Sequence, residues 1–195
     1  MNKLCNNIKN RKVANDKIYT PLPIAKRMIE LCNIQPNDTV LDCSKGAGVF
    51  YDNLPECKKD WCEVDTDIVG NDIKDYFDYN TNVDLVIGNP PYSLWDKWIE
   101  HTMKITNKFC FIFGVLNLTQ PRVRDILNNG FGITKIEICS IDYWFGHHFI
   151  VIFEKNKPSL MSVYDKRVYC DICNKRCKRG KKGYSFNKCY NDIGN

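Results

Sequence analysis

An α/β fold with a mainly parallel sheet is what this sequence predicts, on three observations. Short apolar runs of strand type alternate with segments of helical periodicity from residue 21 to residue 155, the pattern of successive βαβ units. The runs are bounded by turn residues such as Ser44-Lys45-Gly46 and Asn89-Pro90-Pro91. The last two strand candidates follow each other with little between them, so they suit an antiparallel pair at one edge.

Each element has its own warrant. Residues 21–33 read as a helix: Pro21 and Pro23 suit a first turn, and Ile24, Met28, Ile29 and Cys32 recur at helical spacing. Asp38–Cys43 is a short apolar run of buried-strand type, broken at Ser44–Gly48, after which Val49 starts a second helix. Asp60–Asp65 reads as a second strand and Val83–Gly88 as a third. Ser93–Thr106 reads as a helix with Leu94, Trp98 and His101 or Met103 on one side. Lys108–Leu116 is a strand, and Thr119–Gly130 a helix closed by Asn-Asn-Gly. Thr134–Trp144 and His148–Lys155 give the two final strands. No internal repeat is present. The apolar pattern weakens after Lys155, which places a boundary near 156–160.

Composition narrows the class. The chain has 195 residues, 44% hydrophobic and 26% charged, ordinary for a globular protein of one domain plus an appendage. No stretch approaches the apolar length of a membrane helix, and Met1–Lys12 has no signal-peptide core. A membrane partner, a fibrous protein and a secreted disulfide scaffold are therefore not expected. The net charge of +5 is unevenly placed. Residues 155–195 sum to +8, residues 1–17 to +4 and residues 18–154 to −7. Basic ends around an acidic centre suit a polyanion such as nucleic acid; two solvated tails are the alternative. The sequence thus divides into a basic arm (1–17), a central domain (18–155) and a basic Cys-rich element (156–195).

Three constellations carry chemistry. The first is Asp42-Cys43-Ser44-Lys45-Gly46-Ala47-Gly48, directly after a strand. Its glycines allow a tight turn and close approach of a ligand to backbone, and the next helix would offer free N–H groups. Glu63, on the following strand, stands where an acid hydrogen-bonds ribose in nucleotide-binding sheets. The third glycine of the dinucleotide fingerprint is missing, which disfavours NAD. The second is Asn89-Pro90-Pro91-Tyr92, at the carboxyl end of a strand, where ligands bind in such sheets. Two prolines stiffen a backbone flanked by an amide and an aromatic ring. The third is Cys170, Cys173, Cys177 and Cys189, four of 11 cysteines, around a strongly basic run. Cys170-x2-Cys173 is a thiolate knuckle spacing, so Zn2+ is one reading; free or disulfide-bonded cysteines and a disordered tail are the others. The remaining cysteines sit largely in apolar runs and are expected to act as small hydrophobes.

Asn89-Pro90-Pro91-Tyr92 resembles the signature of amino-directed S-adenosylmethionine-dependent methyltransferases, above all the N6-adenine DNA enzymes. The likeness covers roughly residues 18–155. Tyr19–Leu31 resembles the N-terminal cofactor motif, Val40–Pro55 the glycine loop, Asp60–Val64 the acidic second strand, and Lys74–Tyr79 the Asp-aromatic pair beside the cofactor adenine. Leu116–Ile133 and Trp144–Lys155 resemble the late strands of phage-type enzymes. The motif order is similar to the gamma class. Cys43 departs from the family, which has proline there, and the large target-recognition domain of the full enzymes has no counterpart in the residues after 155.

The resemblance implies a Rossmann-like class I methyltransferase fold and S-adenosyl-L-methionine as cofactor. It implies a cofactor site made by Tyr19, Thr20, Pro21, Asp42, Ser44, Gly46, Gly48, Glu63, Asp75 and Tyr76, with Asp72 as runner-up for Asp75. Asn89 and Pro90 would accept the two N–H bonds of the target amine, Pro91 would stiffen the turn, and Tyr92 would stack on the base. Phe145, with Trp144 close behind, stands nearest the family's second stacking position; edge-strand core aromatics are the alternative. His147 and His148 are expected at the surface or against phosphate, and His101 as an ordinary helix residue. The implied substrate is adenine in DNA, with RNA, a protein glutamine and a non-catalytic binding subunit as rivals. A specificity subunit or a homodimer is compatible with the motifs. The Asn/Lys-rich composition and the phage-type likeness point to a viral or phage source, hence to the cytoplasm or the host cell interior.

Overall fold

The structure, a computed structural model, describes residues 18–144 and 146–164. The arm expected over 1–17, the stacking candidate Phe145 and the cysteines Cys170, Cys173, Cys177 and Cys189 lie outside the described residues. A single six-stranded sheet runs in the order β2-β1-β3-β4-β6-β5. Its strands are β1 (Thr39–Asp42), β2 (Lys58–Trp61), β3 (Leu85–Gly88), β4 (Lys108–Gly114), β5 (Phe131–Ser140) and β6 (His147–Lys155). The pairs β1–β2, β1–β3 and β3–β4 are parallel, while β6 is antiparallel to both β4 and β5. The parallel body and antiparallel edge match the architecture expected from the alternating pattern.

Two layers of helix cover the sheet. Helix α1 (Leu22–Cys32) buries Ala25, Met28 and Cys32 against Val40, Leu85, Ile87, Cys110, Ile112, Ile150 and Ile152. A left-handed Asn33 at φ 50° ends it. The opposite face is aromatic. Side chains alternate along a strand, so Phe109, Phe111 and Phe113 of β4 share that face while Cys110 and Ile112 take the other. Trp95 stacks on Phe113 at 4.2 Å and meets Phe111 edge-on at 5.8 Å. Helix α3 (Trp95–Ile105) buries Trp95, Trp98, Ile99, Thr102 and Ile105. That stripe differs from the expected one: Leu94 and Met103 are not on it, because the helix begins one residue after Leu94 and the tryptophans set its rotation. The short α2 (Thr66–Val69) and α4 (Gln120–Asn128) complete the helices.

The helix expected from Val49 reduces to a 3₁₀ turn, Tyr51–Asn53. Leu54 precedes Pro55 and lies at ψ 142°, since proline forces the residue before it out of helical geometry. At the other end the chain stays packed beyond β6. Asn156 N donates to Gly130 O at 2.8 Å, Leu160 N to Ile133 O at 2.8 Å, and Ile133 N to Ser159 Oγ at 3.2 Å. One compact unit runs to Ser162. No helix among the described residues is long and apolar enough to cross a membrane.

Candidate active site

The chain leaves β1 for β2 on one side and later enters β3 on β1's other side. The carboxyl ends of β1 and β3 therefore flank the point where the strand order reverses, the place where open α/β sheets bind ligands. Both motif loops lie there, one after each strand, and they share a cavity of about 820 Å³, within the range typical of small-molecule sites.

The loop after β1 is pinned from three sides. Asp42 is fully buried; its Oδ1 accepts from Ser44 N at 3.3 Å and its Oδ2 from Tyr51 N at 3.1 Å. Burial pushes its carboxyl up to about 7, against the pull of those two N–H bonds. Glu63 reaches across from beyond β2: Oε2 accepts from Gly46 N at 2.8 Å, and Oε1 from Val64 N and Asp65 N. Ser44 N, Lys45 N, Gly46 N and Gly48 N are thus already partnered, and no full helix follows the loop. Lys45 N donates to Cys62 O at 2.9 Å, and its ammonium stands 4.3 Å from the Trp61 ring centre. Gly48, at φ 86°, could not carry a side chain: a Cβ there would lie 2.5 Å from Asp52 Oδ2. Tyr19 lays its ring against Gly46 on the cavity side. Thr20 is buried, lines the cavity, and its hydroxyl has no hydrogen-bond partner among the described residues.

The loop after β3 begins at Gly88, where a Cβ would come within 2.8 Å of Cys43 Sγ. That close approach of the two strand ends requires glycine. Cys43 is itself buried there, as a small hydrophobe. Asn89 Nδ2 donates to Ile18 O at 3.0 Å, and Asn89 Oδ1 is buried with no partner among the described residues. Asn89 and Pro91 line the cavity, and Pro90 is buried behind them. Tyr92 does not line the cavity; it opens a 3₁₀ turn, and its ring is 5.9 Å from that of Trp95 at 26°.

Other expected residues are placed differently. Tyr76 lines the cavity as expected, but almost none of its ring is exposed there. It is 2% exposed, stacked on Trp98 at 4.4 Å, with its hydroxyl 2.7 Å from Thr102 Oγ1. Its neighbour Phe77 is more exposed on the same wall, as is Tyr19. Asp75 lines the cavity and accepts from Phe77 N at 2.9 Å, whereas Asp72 is exposed and off the wall. Pro21 is also off the wall; it caps α1, where its carbonyl accepts from Ile24 N and Ala25 N. Trp144 does not line the cavity either; it packs on the core and meets His148 edge-on at 4.8 Å. His148 is buried rather than at the surface, because β6 alternation turns it inward, and burial beside His147 holds its ring below the usual histidine range. His147 is exposed, with Nδ1 2.9 Å from Ser140 Oγ. His101 bonds Tyr79 O at 3.0 Å and packs on Tyr76 and Phe77. Among the described residues no cluster of three or more His, Cys, Asp or Glu could hold a metal ion. Sequence reasoning missed Asp52, Phe77, Leu94 and Trp98 as wall residues; only the Gly48-to-Asp52 spacing of one helical turn offered a signal.

No family model matches the chain. The Type II methyltransferase M.HincII of Haemophilus influenzae is 29% identical over 154 residues, covering 70% of this chain and 30% of that protein. The chain therefore spans about three tenths of the length of this curated relative. Two solved structures share the architecture. An RNA methyltransferase from Salinibacter ruber in complex with S-adenosyl-L-homocysteine aligns with TM-score 0.53 at 12% identity, covering 76% of this chain and 100% of that one. A dimethyladenosine transferase from Plasmodium falciparum aligns with TM-score 0.51 at 12% identity, covering 72% and 63%. With its parallel body, reversed β6 and ligand cavity at the switch point, the chain has the Rossmann-like fold of the class I methyltransferases.

Proposed function

We propose that this chain transfers a methyl group from S-adenosyl-L-methionine to the exocyclic 6-amino group of adenine in DNA. The observation that carries the reading is Asn89: its amide is oriented by Ile18 O so that a buried, unpartnered Oδ1 is left at the cavity. A buried acceptor without a donor costs about 1–3 kcal/mol, and a ligand N–H relieves that cost. Thr20 Oγ1, likewise buried and unpartnered on the same wall, marks the cavity as built for a polar ligand.

The residues present fit the cofactor. Glu63 is placed for ribose hydroxyls, since a carboxylate offers about four acceptor sites and three are taken. Asp75 and Phe77, on the cavity wall beside Tyr76, would give an adenine ring an acceptor and a face. Tyr19 and Thr20 border the amino-acid end, Pro21 fixing their approach to α1. Asp42, Ser44, Gly46 and Gly48 shape the loop. When bound, S-adenosyl-L-methionine supplies an electrophilic methyl on a sulfonium.

The chain's own work is on the amine. Its lone pair is delocalised into the base, so it is a poor nucleophile. Asn89 Oδ1 and the Pro90 carbonyl accept its two N–H bonds, which favours a tetrahedral nitrogen with its lone pair free. Both acceptors then stabilise the positive charge as it grows. Tyr92 supplies a stacking face, worth about 1–3 kcal/mol per base. Phe145 is the choice for the second face, because Trp144 is engaged with His148. A duplex base must be flipped out to reach this site. The basic ends of the sequence, +4 over 1–17 and +8 over 155–195, offset an acidic centre that would repel phosphate.

Tritiated methyl transfer to methyl-free DNA, RNA and protein pools, side by side, tests the reading. Label recovered as N6-methyladenine in DNA is the expected result. Label confined to RNA or to protein glutamine replaces the substrate. No label anywhere, with cofactor still bound, makes the chain a binding subunit.

A further inference from the structure

We propose that Asp52 is the receptor for the α-ammonium group of the cofactor's amino-acid moiety; the assignment rests on the cofactor reading above. Four acids line the cavity: Asp52, Glu63, Asp65 and Asp75. Three of them already hold backbone. Glu63 takes the N–H groups of Gly46, Val64 and Asp65. Asp65 takes Asp67 N at 3.2 Å and Asp75 takes Phe77 N at 2.9 Å, each capping its own turn. Asp52 is the exception: its carboxylate holds no hydrogen bond or ion pair among the described residues. The two lysines on the wall do not neutralise it. Lys45 is drawn to the Trp61 ring at 4.3 Å, and Lys74 to Asp60 at 3.0 Å and to the same ring at 4.4 Å.

Its position is built rather than incidental. Asp52 N donates to Gly48 O at 2.9 Å, which brings the side chain back over the glycine turn. Gly48 leaves the room it occupies, since a Cβ there would meet Oδ2 at 2.5 Å and Cγ at 3.1 Å. The same cavity holds the buried, unpartnered hydroxyl of Thr20 and the ring of Tyr19 against Gly46. A ligand end with one cationic donor and one polar acceptor complements a free carboxylate and a free hydroxyl. An α-amino acid group has both. A charged N–H···carboxylate bond is of the strong class, and Asp52 is the one wall carboxylate with its acceptors uncommitted.

Isothermal titration of the full chain with S-adenosyl-L-homocysteine and with its desamino analogue, which lacks only the amine, decides the point. Wild type should bind the parent about tenfold or more tightly than the analogue, the size of a charged hydrogen bond. Asp52→Asn should weaken the parent by a similar factor and leave the analogue within about twofold, so that the variant no longer distinguishes the two. Unchanged binding of the analogue also certifies that the variant is folded. Equal losses for both ligands would make Asp52 a shaper of the loop and overturn the assignment, and unchanged affinity for both would place the amine elsewhere. If wild type binds neither ligand, the cofactor reading itself falls, and the assignment with it.

Discussion

Asn89 and Ile18 are 71 positions apart, and one hydrogen bond between them, from Nδ2 to the Ile18 carbonyl at 3.0 Å, leaves Asn89 Oδ1 buried with no partner among the described residues. The segment entering α1 thus sets the polarity of a group at the end of β3. Asn89→Ala should abolish methyl transfer while binding of S-adenosyl-L-homocysteine survives. Losing one preorganised partner at a developing charge costs about 3–4 kcal/mol, hence a fall of two to three orders of magnitude in kcat. A variant keeping a tenth of the wild-type rate would remove Asn89 from the amine.

Glu63→Ala should do more than delete a ribose contact. It also frees Gly46 N, Val64 N and Asp65 N, so the loop loosens. Cofactor affinity should fall by about tenfold to a hundredfold, the scale for removal of a charged acceptor. Titration calorimetry reads this; an unchanged constant would move the ribose contact to Asp65.

Asp42 should make stability pH-dependent. Burial raises its carboxyl from 3.8 to about 7 in the fold, so between those values the folded chain holds more protons than the unfolded one. Its contribution is therefore complete below about pH 4 and is lost as pH rises through 7. The wild-type urea midpoint should decline across that window by up to about 4 kcal/mol in stability, at about 1.4 kcal/mol per pKa unit. Asp42→Asn should flatten the decline, although it loses one acceptor for Ser44 N or Tyr51 N. Parallel curves for the two proteins would show that Asp42 does not titrate there.

Gly88→Ala should destabilise the fold itself. The new methyl would stand 2.8 Å from Cys43 Sγ and 3.3 Å from Ser44 Oγ, and both loops are fixed by strand pairing. Overpacking of this kind costs about 1–3 kcal/mol, readable as a lower denaturant midpoint. An equally stable variant would mean that the two strand ends separate easily.

Truncation separates the basic tail from the fold, provided the cut follows Ser162. A cut at Lys155 would strip the bonds of Asn156, Ser159 and Leu160 to Gly130 and Ile133. With residues 163–195 removed, cofactor affinity should hold and the apparent constant for DNA should rise. The salt dependence should flatten by nearly one unit of log–log slope for each phosphate that the tail neutralises. If the cysteine cluster holds zinc, metal analysis of the full chain should find an ion that the truncated chain lacks. Identical DNA affinity and slope would take the tail out of the binding surface.

The order of the strands, the helices α1, α3 and α4, the parallel body, the reversed last strand and the position of Asn89–Tyr92 at a strand's carboxyl end were readable from local pattern. Alternating "FCFIF" in β4, helical spacing in α1 and proline-glycine punctuation act over a few residues, and neighbours in sequence carry that information. What lay beyond reach depends on partners distant along the chain. Tyr76 packs into the core because Trp98 and Thr102, on α3, offer a ring at 4.4 Å and a hydroxyl at 2.7 Å, and so Phe77, beside it on the wall, is the more exposed ring. His148 is inside because it shares with Ile150 and Ile152 the face of β6 that packs into the core with α1. Asn89 keeps a buried, unpartnered oxygen while Ile18 claims its nitrogen. Short-range periodicity determines which element a residue joins; only the packing of elements distant along the chain decides which atoms of that residue are left over for a ligand.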